Sequence, residues 1–516
     1  MTTADTDTVQ ETVEVERKYD VDESLSLPPL QDLPGVLSVD QPVEHQLEAT
    51  YFDTEDLTLA AHRITLRRRT GGEDEGWHLK LPAGMDARRE LREPLGKDRE
   101  KVPLPLLRLV RAHVRDRPLA AIARLRTRRV VHRLRGADGI LAEVADDQVE
   151  ATALPQADGP EGPASGSVSR WREWEIELAD GRPDLLDAAE ELFRAAGAEP
   201  SAHASKLARA LGRQLPPPEP STPAAQRKET AADVVMAYLR AQATALKEQD
   251  PLVRQDAPDA IHQMRVATRR LRSSLATHRR LFDADRTAAL REELKLLAGL
   301  LGEARDAEVM HERLGRMVGE EPPDLVLGPV ARRLDVDLAT AYKSAHDKVL
   351  KALEQKRYFR LLDSLDEFIA DPPLAGEAHG PATKVIAKSV RRDLKRVRRA
   401  VKEAKRARGT EAADPTLHEA RKTAKRLRYA CEAAAPVGGK RALKLEDSAH
   451  RIQQVLGDHQ DSFVARQLLR KAGVEAFGQH ENGFSYGRLH ALEEARAARS
   501  EKKFWRRWKD FPAKSW

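Results

Sequence analysis

The chain has 516 residues, 41% of them hydrophobic and 33% charged, with 88 Lys+Arg against 83 Asp+Glu for a formal net charge of +5; this supplies more than one core and excludes a wholly disordered chain. No run of about 18 apolar residues is present to span a bilayer, and Met1-Thr2-Thr3-Ala4-Asp5-Thr6-Asp7 lacks the basic and apolar regions of a secretion signal. The single cysteine, Cys431, excludes an internal disulfide and a cysteine-based metal site, so the expectation is a soluble, cytoplasmic, multidomain protein.

Strand patterning dominates the first part. Thr12–Val21, Gln46–Phe52, Ile64–Arg69, Trp77–Leu81, Ala123–Leu134, Ile140–Val149 and Arg170–Leu178 alternate with period 2 and carry β-branched and aromatic residues. Helices are expected at Leu104–Arg115 and Pro183–Ala196, and Leu154–Val168, rich in Gly, Pro, Ala and Ser, reads as a long hairpin loop. Glu14, Glu16 and Lys18 alternate along the first strand, so two carboxylates and an ammonium project from one face. Glu175 and Glu177 repeat the arrangement on the last strand, and Glu143 with Asp147 offers a third acidic pair. Such hard oxygen donors suit Mg²⁺ or Mn²⁺, with no His or Cys cluster to suggest zinc. The basic partners are Arg67, Arg69, Lys80, Arg126, Arg128 and Lys206. If these charged faces point inward, the strands form a closed antiparallel barrel with a charged lumen; a short Glu-x-Glu-x-Lys alone is equally what a solvated amphipathic strand displays.

Gln214–Pro223 is proline-rich and reads as an interdomain linker. It divides the charge: residues 1–223 hold 30 Lys+Arg against 41 Asp+Glu, net −11, and the rest hold 58 against 42, net +16. The second part is a polycation, for which nucleic acid, anionic membrane and inorganic polyphosphate are the candidate partners.

Beyond the linker the period is 3.6, with breaks expected at Pro251, Pro258, Pro322-Pro323, Pro372-Pro373, Pro381, Pro415 and Gly438-Gly439. The segment His262 to Arg272 returns as His418 to Arg428, and Leu301-Gly302-Glu303-Ala304-Arg305-Asp306 returns as Leu456-Gly457-Asp458-His459-Gln460-Asp461. Two motifs repeated in order predict duplicated helical bundles with pseudo-twofold symmetry. His262, Arg265, Arg269 and Arg272 share one helix face, as do His418, Arg421, Lys425 and Arg428, and the two basic stripes are expected to line one cleft for an extended anion. A third basic helix, from Lys384 to Lys405, either widens that cleft or is a solvated face. Aromatic residues are 4% of the chain and nearly absent from the basic helices, which argues against base stacking and makes nucleic acid the less favoured polyanion while leaving plain phosphate-backbone binding open. The basic segment Lys502-Lys503-Phe504-Trp505-Arg506-Arg507-Trp508 reads as a docking helix or membrane-surface element.

Val13-Glu14-Val15-Glu16-Arg17-Lys18-Tyr19 resembles the Glu-x-Glu-x-Lys signature of the CYTH family, the triphosphate tunnel metalloenzymes. Tyr51-Phe52-Asp53-Thr54, Leu66-Arg67-Arg68-Arg69, Trp77-His78-Leu79-Lys80-Leu81, Arg126-Thr127-Arg128, Glu175-Ile176-Glu177-Leu178 and Ser205-Lys206 follow in the family's order. The resemblance implies an eight-stranded antiparallel tunnel over residues 11–213. It implies a divalent ion held by Glu14, Glu16, Glu175 and Glu177 with Glu143 and Asp147 in support, phosphate gripped by the basic set, and hydrolysis of a linear triphosphate without a covalent intermediate. Cyclases and organic triphosphatases belong to the same family, and a tunnel that binds phosphate without turnover is a further reading. Residues 224–516 resemble the CHAD family, associated with inorganic polyphosphate, which implies polyphosphate or tripolyphosphate as partner and association with polyphosphate granules. The expected fold class is α+β multidomain, a barrel tunnel followed by an all-α duplicated bundle.

Overall fold

The computed structural model of the chain describes residues 10–83, 87–154, 168–212 and 229–512. It divides into two compact units, Met1–Pro223 and Ala224–Trp516. The proline-rich segment Gln214–Pro223 and all but the ends of the loop expected at Leu154–Val168 lie outside the described residues.

The first unit runs β1 (Gln10–Val21), β2 (Ser38–Val39), β3 (Val43–Asp53), α1 (Thr58–Ala61), β4 (Thr65–Thr70), β5 (Gly76–Pro82), β6 (Ala87–Glu93), α2 (Leu104–Val114), β7 (Ala120–Arg135), β8 (Ile140–Ala153), β9 (Val168–Leu178), α3 (Asp184–Ala195), β10 (Glu199–Pro200) and α4 (Lys206–Leu211). Eight strands close in the order β1-β6-β5-β4-β3-β7-β8-β9, with β9 pairing back onto β1 and every pair antiparallel. Closure removes the free edges that an open sheet would expose. β2 and β10 add short pairings to β7 and β1.

Alternation sorts the side chains. On the outer wall Leu66, Trp77, Leu79 and Leu91 are buried beneath Leu106, Leu109 and Val110 of α2. Tyr19, Val144, Trp174 and Ile176 are buried beneath Leu185, Leu186, Ala189 and Phe193 of α3, and Phe193 meets Tyr19 and Trp174 at ring-centroid distances of 5.1 and 5.4 Å. Each such large side chain contributes about 2–3 kcal/mol by burial. The helix α4 closes one end: Leu207, Ala210 and Leu211 join Tyr51, Leu125, Val149, Ala151 and Trp171 in one apolar cluster. Asp53, from the Tyr51-Phe52-Asp53-Thr54 segment, is structural, since its carboxylate accepts from the backbone N–H of Leu59 at 2.8 Å and Ala60 at 2.9 Å and so fixes the start of α1.

The second unit is helical: α5 (Ala231–Arg254), α6 (Ala260–Thr277), α7 (Ala284–Gly319), α8 (Val330–Leu353), α9 (Lys356–Ala370), α10 (Ala382–Arg406), α11 (Ala413–Gly478) and α12 (Phe484–Lys509). Gly439, at φ 50° and ψ −141°, turns α11 back on itself, a backbone state that favours glycine. The two halves of α11 therefore stand to α10 and α12 as α6 and α7 stand to α5 and α8, which is the duplication. Pro251 lies inside α5 and Pro415 in the first turn of α11, so neither breaks a helix as expected. The halves meet through Arg270 of α6, which donates to Glu432 of α11 at 2.8 Å, and Arg426 of α11, which donates to Ala276 O at 2.8 Å.

The aromatic C-terminal segment is part of this unit. Phe504 is fully buried, Arg408 lies 5.0 Å over Trp505, and Trp508 stacks on Phe511 at 4.8 Å. Among the described residues no helix is long and apolar enough to cross a membrane.

Candidate functional site

The barrel lumen holds a cavity of about 440 Å³ into which Glu14, Glu16 and Lys18 of β1 project. Arg67 and Arg69 of β4, Lys80 of β5, Glu143 of β8, Glu175 and Glu177 of β9 and Lys206 of α4 line the same space. Register explains the gathering. Glu16 lies opposite Glu177 and Lys18 opposite Glu175 across β1–β9, and Lys80 lies opposite Glu90 across β5–β6.

The six expected metal ligands do not form one set. Carboxylate oxygens of Glu14, Glu16 and Glu177 lie within 4.8 Å of one another, and those of Asp147, Glu173 and Glu175 form a second such group. Glu143 belongs to neither; it pairs with Arg133 at 2.8 Å in a more exposed position. Lys18 ties the groups together, reaching Glu16 at 2.8 Å and also Glu175.

Arg126 and Arg128 face away from the lumen, with exposed side chains paired to Glu48 at 3.2 Å and to Glu44 on β3. The inward residues of β7 are Leu125, Thr127, Arg129, Val131 and Arg133, so the lumen receives Arg129 and Arg133 in their place. The unrecognised strand β6 supplies Arg88, Glu90 and Arg92. Glu90 is fully buried and held by His78 at 3.0 Å, whose other ring nitrogen meets Asp74 O at 2.9 Å.

The electrostatics separate the two acidic groups. Burial opposes the charge on Glu16, but Lys18 and Lys80 outweigh it and hold the carboxyl down at about 2. Burial followed by Glu14 pushes Glu177 up to about 7, and Glu14 itself is raised by burial against the pull of Lys80. Glu14 pairs with Lys80 and Glu16 with Lys18, while Glu177 has no ion pair among the described residues, so one carboxylate of this group is uncompensated and the three oxygens fit a divalent cation. In the second group the burial penalty on Glu175 is exceeded by Lys18, Lys206 and Arg129, and its carboxyl lies well below the ordinary range. Burial also works against the Lys18 ammonium, yet Glu16 and Glu175 raise it to about 12. Lys18 therefore keeps its proton at neutral pH and positions carboxylates rather than acting as a base.

In the helical unit a cavity of about 1040 Å³ is lined by His262, Arg265, Arg269 and Arg272 of α6 and by His418, Arg421 and Lys425 of α11. Seven of the eight residues expected along the two stripes thus meet in one place. Arg428 is the exception, held by Glu432 at 3.0 Å and Glu446 at 3.2 Å; the position of Glu432 in the first copy is Ala276, which leaves Arg272 facing the cavity. The third basic helix, α10, contributes no lining residue.

The second repeated motif has a packing role. A Cβ on Gly302 would stand 3.5 Å from Arg265 Nε, and one on Gly457 would stand 3.4 Å from Arg421 Nη2. Each glycine seats the guanidinium of the matching stripe against a helix backbone.

A closed antiparallel tunnel lined by opposed acids and bases, followed by a duplicated helical module around a basic cavity, defines a two-module protein class. The family comparisons agree: residues 12–211 match the CYTH domain and residues 237–470 the CHAD domain, and the chain belongs to the proteins that join the two. It is 43% identical over 497 residues to the uncharacterized protein MT2285 of Mycobacterium tuberculosis strain CDC 1551 / Oshkosh, covering 93% of each chain. Among solved structures, PptA from Streptomyces chartreusis matches 55% of this chain and 100% of its own at 22% identity and TM-score 0.44. The CHAD domain from the plant Ricinus communis matches 52% of this chain and 88% of its own at 23% identity and TM-score 0.42. CYTH family members are metal-dependent triphosphatases or cyclases, and CHAD domains are associated with polyphosphate binding.

Proposed function

We propose that the tunnel hydrolyses inorganic tripolyphosphate, or a closely related linear triphosphate, with Mg²⁺ or Mn²⁺ held by Glu14, Glu16 and Glu177, and that the helical unit binds inorganic polyphosphate. The observation that supports this reading is the converging Glu14, Glu16, Glu177 group, in which Glu177 has no ion pair among the described residues, sharing a closed lumen with Arg67, Arg69 and Lys80. The ion, when bound, supplies Lewis acidity toward phosphate oxygens. The chain supplies the rest. Arg67, Arg69 and Lys80 neutralise the phosphate chain and the charge that moves onto the leaving group. Arg129 and Lys18 keep the carboxylates oriented. The α4 end-closure limits water to what enters through the lumen.

Phosphate release by the full chain with Mg²⁺ or Mn²⁺ tests this directly, comparing tripolyphosphate, long polyphosphate, ATP and thiamine triphosphate. Tripolyphosphate should turn over fastest and a chelator should abolish it; no release from any of the four overturns hydrolysis and leaves phosphate binding alone.

For the helical unit, the cations of α6 and α11 converge without enough acids to neutralise them, which supports an extended anion as the occupant and polyphosphate-rich granules as the setting. Gly457→Leu should displace the Arg421 guanidinium and weaken polyphosphate binding about tenfold, the worth of one charge-assisted contact. Calorimetric titration reads this, with the melting temperature measured alongside because leucine at this buried position adds an overpacking cost of about 1–3 kcal/mol. Unchanged affinity would mean that Arg421 does not touch the ligand.

A further inference from the structure

The second acidic group already contains a cation. Lys206 Nζ lies 2.8 Å from Asp147, 2.7 Å from Glu173 and 2.7 Å from Glu175. The three carboxylates are buried, at 0%, 2% and 7% exposure. Three converging carboxylate oxygens at this spacing are the donor set of a hard divalent ion, and here one ammonium stands at their centre. Arg129 closes the outer side, donating to Asp147 at 2.8 and 2.6 Å, and Trp171 Nε1 donates to the remaining Glu173 oxygen at 2.5 Å.

Lys206 is held there by its own helix. It is the first residue of α4, whose N-cap Ser205 accepts from Ala208 N at 3.1 Å, and Leu207 and Leu211 anchor the helix in the apolar end of the barrel. Withdrawing the ammonium would require moving that plug. In the first group Lys18 pairs with Glu16 and Lys80 with Glu14, and Glu177 has no ion pair among the described residues.

We infer that Lys206 is a tethered ammonium standing in for a second divalent cation, so that the tunnel takes one ion, at Glu14, Glu16 and Glu177. This rests on the proposed metal dependence of the tunnel, and it moves Lys206 from gripping phosphate to completing the acidic floor. With three carboxylates against Lys206, Arg129 and Lys18, which also reaches Glu175, the group carries no net charge. Without Lys206 one negative charge is uncompensated and three converging carboxylate oxygens are left open to Mg²⁺ or Mn²⁺.

The test counts Mn²⁺ bound to the full chain without substrate, from the electron paramagnetic resonance signal of free Mn²⁺ during titration. The unaltered protein should bind one ion tightly and Lys206→Met should bind two. Glu177→Gln, which leaves α4 untouched, should bind none tightly. Two tight ions in the unaltered protein, one in a folded Lys206→Met, or one retained by Glu177→Gln would each overturn the inference. No tight ion in the unaltered protein would defeat the metal reading itself, and the inference with it.

Discussion

Glu16→Gln is expected to lower metal-dependent phosphate release from tripolyphosphate by about 10³-fold, the scale on which an electrostatic contribution to the transition state is lost when one of its supports is removed. Glutamine keeps the shape of the side chain but removes one of three charges that converge within 4.8 Å. Lys18 remains tied to Glu175, so the second acidic group should keep its geometry and the loss should be confined to the first. The unliganded protein should be modestly less stable at neutral pH, because Lys18 and Lys80 hold the Glu16 carboxyl down at about 2 and its charge therefore favours the folded state. Two readouts follow from one variant: phosphate release, and the rise in melting temperature on adding Mn²⁺. Both should collapse in Glu16→Gln while polyphosphate binding by the helical unit stays intact. Undiminished turnover would remove Glu16 from the site; lost turnover with an intact Mn²⁺ stabilisation would reassign it from holding the ion to contacting substrate.

Most of the barrel was legible because outward apolar residues alternate with inward charges. Alternation failed where that contrast disappears. Strand β6 reads Ala-Arg-Arg-Glu-Leu-Arg-Glu with Leu91 as its one large apolar residue, so a period-2 pattern could not be seen, and Arg88, Glu90 and Arg92 were missed with it. The error on β7 has a different origin. Arginines occupy both parities, the outer ones paired to surface glutamates of β3, while Leu125 and Val131 share the inward face with Arg129 and Arg133. Leu125 faces inward because it packs on α4 at one end of the barrel, a tertiary fact with no local signal. The division of six acids into two groups was likewise invisible, since it depends on which carboxylates Lys206 reaches from a distant helix. In the helical unit the duplication was the signal, and it located seven cavity residues; Arg428 departed because Glu432 has no counterpart in the first copy.

Polyphosphate binding to the helical unit is expected to take up close to one proton per site at pH 8, through Lys425. Burial first, then Arg269, Arg421 and Arg265, push its ammonium from the ordinary 10.5 down to about 6, and Arg269 is lowered to about 10 by burial and Arg265. The folded, unliganded unit therefore binds fewer protons than the unfolded chain between pH 6 and 10.5, so its stability should rise with pH across that window. An anion in the cavity reverses the repulsion and returns the proton. Affinity should then fall by about tenfold per pH unit above pH 6 until the liganded value of Lys425 is reached. His262 and His418 are also lowered, chiefly by burial, but both are neutral at pH 8, which isolates the lysine. Calorimetry in buffers of different ionisation enthalpy measures the uptake. Lys425→Met should abolish it, raise the melting temperature of the unliganded protein at pH 7 and weaken binding below pH 7, where the native ammonium would contribute. Heats independent of buffer at pH 8 in the unaltered protein would show that Lys425 does not change protonation when the cavity fills.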